Sequence, residues 1–370
     1  MTIRVLQIVP TLDQGGAEKQ LTLLATGLPR DQFEVHVALL TRAGPYLATL
    51  QQHEIPVFEV NKAWKIDPFA YFRLKRHIRD LRPDIVHTWL FAANSYGRQA
   101  AFAAGVDTVI AGERCVDEWK SSPALVIDRW LAKRTARILT NSNGVKDFYV
   151  AKGLPAQKFD VIPNGISVPA APTATRESAL ACAGMEEGDF VIGAVGRLWP
   201  QKRQKDLIWA AHLLEEAGHR IRLLIIGDGP QRWRLERYAR QVFPDRDTVV
   251  FLGHRDDVAS LMPHFDCFWL ASGYEGQSNA LMEAMSCGVP AVVSDIAGNR
   301  DLVVPDETGL LVAVGDRAGF TKQTHRLIED PDLRARLANN SQQRMREQFS
   351  VQRMVERYGQ LYQSLVDART

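Results

Sequence analysis

The sequence predicts an α/β protein built from two doubly wound parallel sheets. Short apolar segments rich in Val, Ile and Leu recur through the first half of the 370-residue chain, and most are separated by ten or more residues of helical pattern. Continuous apolar strands that alternate with helices are typical of a parallel sheet covered on both faces. The pattern then starts again, and the chain length fits two domains.

Eleven strands are predicted, in two series. The first series begins at Ile3, Phe33, Pro56, Asp84, Thr108 and Arg137. The second begins at Phe190, Arg222, Thr248, Asp266 and Pro290. Helical patterns separate most of these strands, for example at residues 18–27 and 69–81.

The stretch between the two series, residues 168–189, is rich in Ala, Pro and Thr and starts without strand pattern. It is predicted to be a linker that runs into a helix. We therefore divide the chain into a first domain at 1–167, a linker and start of the second domain at 168–188, a second domain at 189–345 and a C-terminal helix at 346–370. Ligands of open α/β sheets bind at the carboxyl ends of the strands, so the functional loops are expected there, at a central cleft.

Composition and charge exclude several classes of protein. The 46% hydrophobic and 24% charged residues are close to the globular average, which excludes a disordered or collagen-like chain. A net charge of +2 argues against a nucleic-acid binder. The four cysteines form no CxxC pair, so neither a zinc site nor a disulfide framework is expected. The first apolar run is too short for a signal peptide, and no membrane span is found, so we expect a cytoplasmic protein.

Two loops that follow predicted strands carry residue types suited to phosphate. Gly15 and Gly16 precede a helix predicted to start near Ala17, where a close backbone and exposed N–H groups can face an anion; a tight turn without a ligand is the alternative. Arg197 and Lys202 follow the strand at Phe190. Arg can clamp a diphosphate with two hydrogen bonds and Lys adds a point charge, although a solvated basic loop fits this segment equally well.

A pair of glutamates is the most specific feature of the sequence. Glu275 lies in a loop after a strand, and Glu283 lies eight residues later in a helix predicted to start near Asn279. Both carboxylates can point to the same side, and carboxylates accept hydrogen bonds from vicinal sugar hydroxyls. The intervening N–H groups at the helix start favour an anion. A helix with a surface glutamate is the structural alternative.

Together these segments resemble family 4 of the retaining glycosyltransferases, which have the GT-B fold. Glu275 and Glu283 match the family's E-x7-E signature, and Arg197 and Lys202 match its R-x4-K pair. The similarity extends through residues 140–166, 225–236 and 249–272 and so covers nearly the whole chain. It implies two Rossmann-like domains facing a central cleft, with the final helix returning to the first domain.

The resemblance also implies a division of roles among the site residues. Arg197 and Lys202 would neutralise the β-phosphate of a UDP- or GDP-sugar, while Glu275 and Glu283 would bind the donor sugar and the ribose. Fixed cations bind the leaving diphosphate best as its charge grows in the transition state. The further substrate contacts that we expect in this half of the chain are Gly229, Arg255, Gln277, Ser278 and Asn279. Ser278 and Asn279 are also good N-cap residues, and we favour capping for Ser278.

The acceptor, a glycan or glycolipid, is expected at the first domain. His87 ends a predicted strand and either approaches the transferred sugar or is a satisfied strand-end histidine. Trp89 is a candidate for stacking on an acceptor sugar. Glu113 and Arg114 follow the next strand and are candidate acceptor contacts.

Residues 64–82 interleave six cations with aromatic and aliphatic side chains. A helix of this type can lie on an anionic membrane, and a solvated helix with one buried apolar face has the same pattern. The family's lipid-linked acceptors favour peripheral contact with the inner face of the membrane.

No metal or other cofactor is expected, because the cation pair takes the metal's place. The DxD sequence at residues 245–247 precedes a strand and is predicted to be a surface loop. Three alternatives remain at this stage. A sugar-nucleotide epimerase of the same shape is disfavoured by E-x7-E with R-x4-K, a nicotinamide dehydrogenase by the missing GxGxxG, and a non-catalytic sugar-nucleotide-binding subunit by the intact motif residues.

Overall fold

The computed structural model describes residues 2–169, 174–186, 188–244 and 246–368. The chain divides into two compact units. The first contains the chain up to Gly165 and again from Val351 onward, and the second is Ile166–Ser350. Each unit is built on one parallel sheet.

The first unit has a seven-stranded sheet in the order β3-β2-β1-β4-β5-β6-β7. Its strands are β1 (Ile3–Thr11), β2 (Phe33–Arg42), β3 (Val57–Glu59), β4 (Ile85–Trp89), β5 (Thr108–Glu113), β6 (Arg137–Thr140) and β7 (Phe159–Val161). Its helices are α1 (Gly16–Gly27), α2 (Tyr46–Gln52), α3 (Pro68–Leu81), α4 (Leu90–Ala104), α5 (Ser122–Ala132), α6 (Asn143–Ala151) and, at the end of the chain, α15 (Val351–Asp367).

Two hydrophobic clusters cover the opposite faces of this sheet. Successive strand residues point to opposite faces, so Val5 of β1 lies in one cluster and Leu6 in the other. The first cluster includes Leu21 of α1 and Tyr358 of α15, and the second includes Leu74 of α3. The C-terminal helix is therefore part of the core of the first unit.

The second unit has a six-stranded sheet in the order β10-β9-β8-β11-β12-β13. Its strands are β8 (Phe190–Val195), β9 (Ile221–Ile226), β10 (Val249–Gly253), β11 (Cys267–Leu270), β12 (Ala291–Ser294) and β13 (Leu310–Val312). Its helices are α7 (Arg176–Ala179), α8 (Gln204–Glu216), α9 (Arg232–Val242), α10 (Val258–Leu261), α11 (Asn279–Ser286), α12 (Ala297–Arg300), α13 (Arg317–Glu329) and α14 (Pro331–Gln348). Two buried clusters again flank the sheet, with Ile192 of β8 in one and Val191 in the other.

All eleven predicted strands are present, and the fold class is confirmed. Two further strands, β7 and β13, are not among those predicted; each is only three residues long. Part of the predicted linker, residues 170–173 and 187, lies outside the described residues. The described part contains α7 and a 3₁₀ turn at Ala181–Ala183.

Candidate functional site

The loops that follow β8, β9 and β10 are joined by backbone hydrogen bonds at the carboxyl edge of the second sheet. The N–H of Leu198 donates to the carbonyl of Asp228 at 2.9 Å, and the N–H of Gln231 donates to the carbonyl of Leu198 at 3.1 Å. Gly227 has φ +131°, and a Cβ there would lie 2.1 Å from the carbonyl oxygen of Gly196. Only glycine fits this contact, so the backbone itself fixes the loop that carries Arg197 and Lys202.

Gly229, predicted as a substrate contact, packs against this same loop. A Cβ on Gly229 would lie 2.7 Å from the carbonyl oxygen of Leu198 and 2.8 Å from its nitrogen. The N–H of Gly229 donates to Oδ1 of Asp228 at 2.7 Å. Its small size therefore serves the approach of two loops.

Lys202 and Glu275, 73 residues apart in sequence, meet at this edge. Lys202 ends a 3₁₀ turn at Pro200–Lys202, and its Nζ lies 2.5 Å from Oε1 of Glu275. The two side chains are 15% and 11% exposed. Gln201 fixes the second loop, since its Nε2 donates to the carbonyl of Tyr274 at 2.7 Å and its carbonyl accepts from the N–H of Gly273 at 2.9 Å. The structure thus brings one residue of each predicted motif into a single ion pair.

A buried chain of polar side chains supports Glu275 from behind. The hydroxyl of Ser272 donates to Oε1 of Glu275 at 2.7 Å, and the hydroxyl of Ser294 donates to the carbonyl of Ser272 at 2.5 Å. Nδ2 of Asn299 donates to the carbonyl of Ser294 at 2.8 Å. Ser272, Ser294 and Asn299 are at most 1% exposed. Sequence reasoning missed these three residues; the signal available for the two serines was their position, Ser272 two residues after β11 and Ser294 at the end of β12.

The helix that carries Glu283 begins where the sequence predicts. The helix α11 starts at Asn279, and the hydroxyl of Ser278 caps it by accepting from the N–H of Leu281 at 3.4 Å. This confirms capping for Ser278. Gln277 is 7% exposed, whereas Glu283 is half-buried and lies on the side of the helix away from the buried Leu281.

Two arginines predicted at the site have partners of their own. Arg197 is exposed, and its guanidinium carbon lies 5.3 Å from the ring centre of Trp199. Arg255 follows the edge strand β10 and binds Asp257 through Nε at 2.7 Å and through a second nitrogen at 2.5 Å. The hydrogen bond from Arg255 holds the pKa of Asp257 below its usual value. Arg255 is therefore held beside a carboxylate of its own loop.

In the first unit, the predicted glycine pair lies at the start of α1. Gly15 is the N-cap and Gly16 the first helical residue. Glu18 folds back over this end, because a Cβ on Gly15 would lie 2.1 Å from its Oε2. Thr11 donates to the other oxygen of Glu18 at 3.1 Å. The carboxylate therefore supplies negative charge at this helix terminus from within the chain.

The structure corrects the expectation that Trp89 is available to stack on a sugar. Trp89 is fully buried, its Nε1 donates to Oε1 of Gln7 at 2.5 Å, and its ring packs against Tyr358 of α15. His87 is also fully buried, and its Nδ1 lies 2.8 Å from the hydroxyl of Tyr362. Burial, with the nearby cation of Arg114, lowers the pKa of His87 well below its usual value. His87 is therefore a buried residue of the core, and its Nε2 has no hydrogen-bond partner among the described residues.

Glu113 and Arg114 are likewise buried in contacts of the first unit. Lys120 binds both carboxylate oxygens of Glu113, at 3.1 and 3.2 Å, and Oδ2 of Asp128 at 2.9 Å. Arg98 closes the cluster by binding Asp128 at 2.7 Å. Arg114 donates to the hydroxyl of Tyr358 at 3.1 Å and to the side-chain oxygen of Asn164. These two residues are not exposed to an acceptor, because later segments of the chain cover the ends of their strands.

The described residues contain one group that could hold a metal ion. It consists of His219, His325 and Glu329, whose ligand atoms lie within 4.8 Å of one another. His219 precedes β9 and so lies at the sheet edge opposite Lys202 and Glu275. In the predicted DxD sequence, Asp245 lies outside the described residues, and Asp247 precedes β10 as expected. In the described parts of the chain, no helix is long and apolar enough to span a membrane.

Two family models match the chain one after the other. The model described as Glycosyltransferase Family 4 matches residues 14–168, and the model described as Glycosyl transferases group 1 matches residues 177–344. A GDP-mannose-dependent alpha-mannosyltransferase of Mycobacterium tuberculosis is 30% identical over 282 residues, which cover 73% of this chain and 68% of that protein. The chain therefore belongs to glycosyltransferase family 4 and has the GT-B fold.

Two other relatives match nearly the whole chain. The UDP-Gal:alpha-D-GlcNAc-diphosphoundecaprenol alpha-1,3-galactosyltransferase of Escherichia coli is 27% identical over 354 residues, covering 92% of this chain and 91% of that protein. Among solved structures, Anabaena Alr3699/HepE in complex with UDP-glucose is 25% identical, with a TM-score of 0.86, and the match covers 98% of this chain and 100% of that one.

Proposed function

We propose that this protein transfers a hexose from a UDP-sugar to a glycan or lipid-linked glycan acceptor, with retention of anomeric configuration and without a metal ion. The observation that carries the proposal is the Lys202–Glu275 pair at 2.5 Å, at the carboxyl edge of the second sheet. An ammonium next to a carboxylate provides one group for the diphosphate and one for the sugar hydroxyls. The protein would act in the assembly of a cell-surface polysaccharide or glycolipid.

Lys202 and Arg197 would stabilise the leaving diphosphate. Breaking the bond between sugar and phosphate places growing negative charge on the diphosphate, and cations fixed beforehand bind this state more tightly than the ground state. An ammonium group has three N–H donors. Lys202 can therefore keep its bond to Glu275 while it donates to phosphate oxygens, and the backbone contacts of its loop hold it in place. In this way the two cations would supply the charge that a metal supplies elsewhere.

Glu275 would orient the donor sugar. Lys202 and Ser272 both bind its Oε1, which leaves Oε2 to be assigned to a sugar hydroxyl. We assign Glu283, on the half-buried side of α11, to the ribose, and the N–H groups at the start of α11, near Gln277 and Asn279, to the diphosphate.

UDP is the first choice of nucleotide because the galactosyltransferase of Escherichia coli, which matches almost the full chain, has UDP-Gal in its name, and HepE, which also does, was solved in complex with UDP-glucose. The mannosyltransferase of Mycobacterium tuberculosis makes GDP the second choice. The name of the Escherichia coli enzyme specifies a diphosphoundecaprenol acceptor, which supports a lipid-linked glycan as the acceptor of this chain.

A thermal-shift panel with UDP, GDP, ADP and NADH tests the donor class. A ligand at about 100 times its dissociation constant adds roughly 2.7 kcal/mol to the free energy of unfolding, which raises the melting temperature by several degrees. UDP is expected to stabilise the wild type but not Lys202→Ala. Lys205→Ala, which removes an exposed lysine three residues away, is the matched control and should respond like the wild type.

The outcomes separate the alternatives. Stabilisation by GDP alone would mean that the donor is a GDP-sugar and not a UDP-sugar. Stabilisation by NADH alone would refute the proposal. UDP release from UDP-glucose or UDP-galactose should accompany binding in the wild type and be lost in Lys202→Ala. Binding of UDP without any turnover, across acceptors, would favour a non-catalytic subunit instead.

A further inference from the structure

Exposed large apolar side chains are concentrated in two segments of the first unit. Eleven such residues are exposed in the described parts of the chain, and eight of them precede or belong to α3 and α5. These eight are Trp64, Ile66, Phe69, Phe72, Trp119, Val126, Ile127 and Trp130. We refer to them, with the neighbouring cations, as the aromatic face. A concentration of this kind on one unit marks an interaction surface.

The two segments belong to one surface because α4 lies between α3 and α5. The helix α4 packs against both neighbours. Its Arg98 binds Asp128 of α5 at 2.7 Å, with both side chains buried, and the ring of Phe91 meets that of Trp119 edge-on at 5.2 Å. In the sheet order β3-β2-β1-β4-β5-β6-β7, the connections from β3 to β4, β4 to β5 and β5 to β6 all run in the same direction, so right-handed crossovers place α3, α4 and α5 on the same face of the sheet.

The exposed aromatic residues of α3 are not its core-facing side. Ala70, Leu74 and Ile78 are fully buried and face the sheet, whereas Phe69 and Phe72 are 70% and 63% exposed. The helix thus has two apolar sides, and only one of them is explained by packing. The interpretation of residues 64–82 as a helix with a single buried apolar face is therefore incomplete.

The helix α5 repeats this arrangement. Leu125 and Leu131 are buried, and the buried ion pair of Asp128 with Arg98 fixes which side of the helix faces inward. Val126 and Trp130 consequently face solvent, each 57% exposed. The buried ion pair thus fixes the orientation of α5, and this orientation keeps the ring of Trp130 at the surface.

The excess of cations on this surface favours an anionic partner. Exposed cations are Lys65, Arg73, Arg76, Arg79, Arg82, Arg129, Lys133 and Arg134, whereas the exposed acidic residues of the two segments are Asp80 and Glu118. The helix α4 has no acidic residue at all. A second copy of this chain would bring like charges together, because a two-fold interface places the same patch on both sides.

We propose that the aromatic face lies on an anionic lipid bilayer. Tryptophan and phenylalanine enter the region between headgroups and acyl chains, and lysine and arginine bind anionic headgroups beside them. The inference depends on no part of the proposed transferase reaction, since it concerns only the outer sides of α3 and α5.

Flotation of the full chain with lipid vesicles tests this proposal. The wild type should float at low salt with vesicles of phosphatidylcholine and phosphatidylglycerol, and much less with pure phosphatidylcholine. Trp130→Ser and Phe69→Ser should each reduce binding severalfold, and Arg129→Gln should reduce it about fivefold. Trp233→Ser and Arg240→Gln, which remove an exposed tryptophan and an exposed arginine from the second unit, are the matched controls and should bind like the wild type.

Equal vesicle binding by Trp130→Ser and by Trp233→Ser would overturn the proposal, as would failure of the wild type to bind anionic vesicles. A dimer in solution that dissociates in Trp130→Ser would assign the face to a second copy instead. The substituted side chains are exposed, so unchanged thermal unfolding in all variants will separate loss of binding from loss of fold. Activity measured without membranes will then report on the transferase proposal separately.

Discussion

Gly298 is expected to hold the loop of Glu275 in its active position, and Gly298→Ala tests this directly. Gly298 lies in the short helix α12, and a Cβ added there would be 1.7 Å from the carbonyl oxygen of Gly276 and 2.9 Å from that of Glu275. A normal carbon–oxygen contact is roughly 3.3 Å, so the Gly276 carbonyl must move by about 1.6 Å. Both contacts are to backbone, which has no rotamer to change.

The displacement moves the residue that Lys202 and Ser272 hold. A misplacement of about 1 Å at a reacting centre can lower the rate by about a hundredfold, and we expect a loss of at least this size in kcat. Overpacking should also lower the free energy of unfolding by about 1–3 kcal/mol. Initial rates of sugar transfer, measured at saturating donor and below the melting temperature of the variant, check the first expectation.

The matched control is Gly359→Ala in α15. A Cβ there would have its nearest contact at 3.5 Å, to a ring carbon of Phe33, which is an ordinary distance. Alanine in a helix interior is more favourable than glycine by about 0.5–1 kcal/mol, so this variant should keep its activity and unfold no more easily. Wild-type turnover in Gly298→Ala would refute the positioning argument, because the loop would then have absorbed the extra methyl group.

Three further predictions concern the buried charges of the first unit and the role of metal. Lys120→Met should lower the free energy of unfolding in urea by about 3–5 kcal/mol, because it leaves the buried carboxylate of Glu113 without its cation and Asp128 with Arg98 alone, whereas Lys133→Met at an exposed site should have almost no effect. The folded state holds the pKa of His87 well below 6.5. As the pH falls through 6.5, the unfolded state therefore takes up a proton that the folded state does not, and the free energy of unfolding decreases. Between pH 7 and pH 5 this decrease should be less steep in His87→Gln than in the wild type, and equal slopes would contradict this. Sugar transfer should persist in excess EDTA, and its loss with recovery on adding a divalent cation would show that a metal is needed after all.

The sequence was sufficient where the determining pattern is local. Apolar runs predicted the strands, and the preference of serine for an N-cap predicted both the start of α11 and the role of Ser278. The order of the loops after parallel strands also predicted that Lys202 and Glu275 would lie at one edge of the sheet. The ion pair between them is a consequence of topology, because all carboxyl ends of a parallel sheet lie at the same edge.

The errors arose where distant segments cover the ends of strands. His87, Trp89, Glu113 and Arg114 do lie at carboxyl ends of β4 and β5, as predicted. Their exposure, however, is decided by Tyr358 and Tyr362, about 270 residues away on α15, and by Lys120 in the following loop. No periodicity near residue 87 contains this information. A residue at a functional edge can therefore be placed correctly from sequence and still be assigned the wrong role.

The same limit explains why α3 could not be interpreted from its sequence alone. The helical pattern of a sequence shows how often apolar residues recur in each turn. It does not show how many sides of the helix the sheet can cover. In the structure the sheet covers Ala70, Leu74 and Ile78, and the remaining aromatic residues stay exposed beside cations. The two interpretations of this segment, a core helix and a membrane-binding helix, therefore concern different sides of one helix. The buried side is present in the structure, and the vesicle experiment asks only about the other.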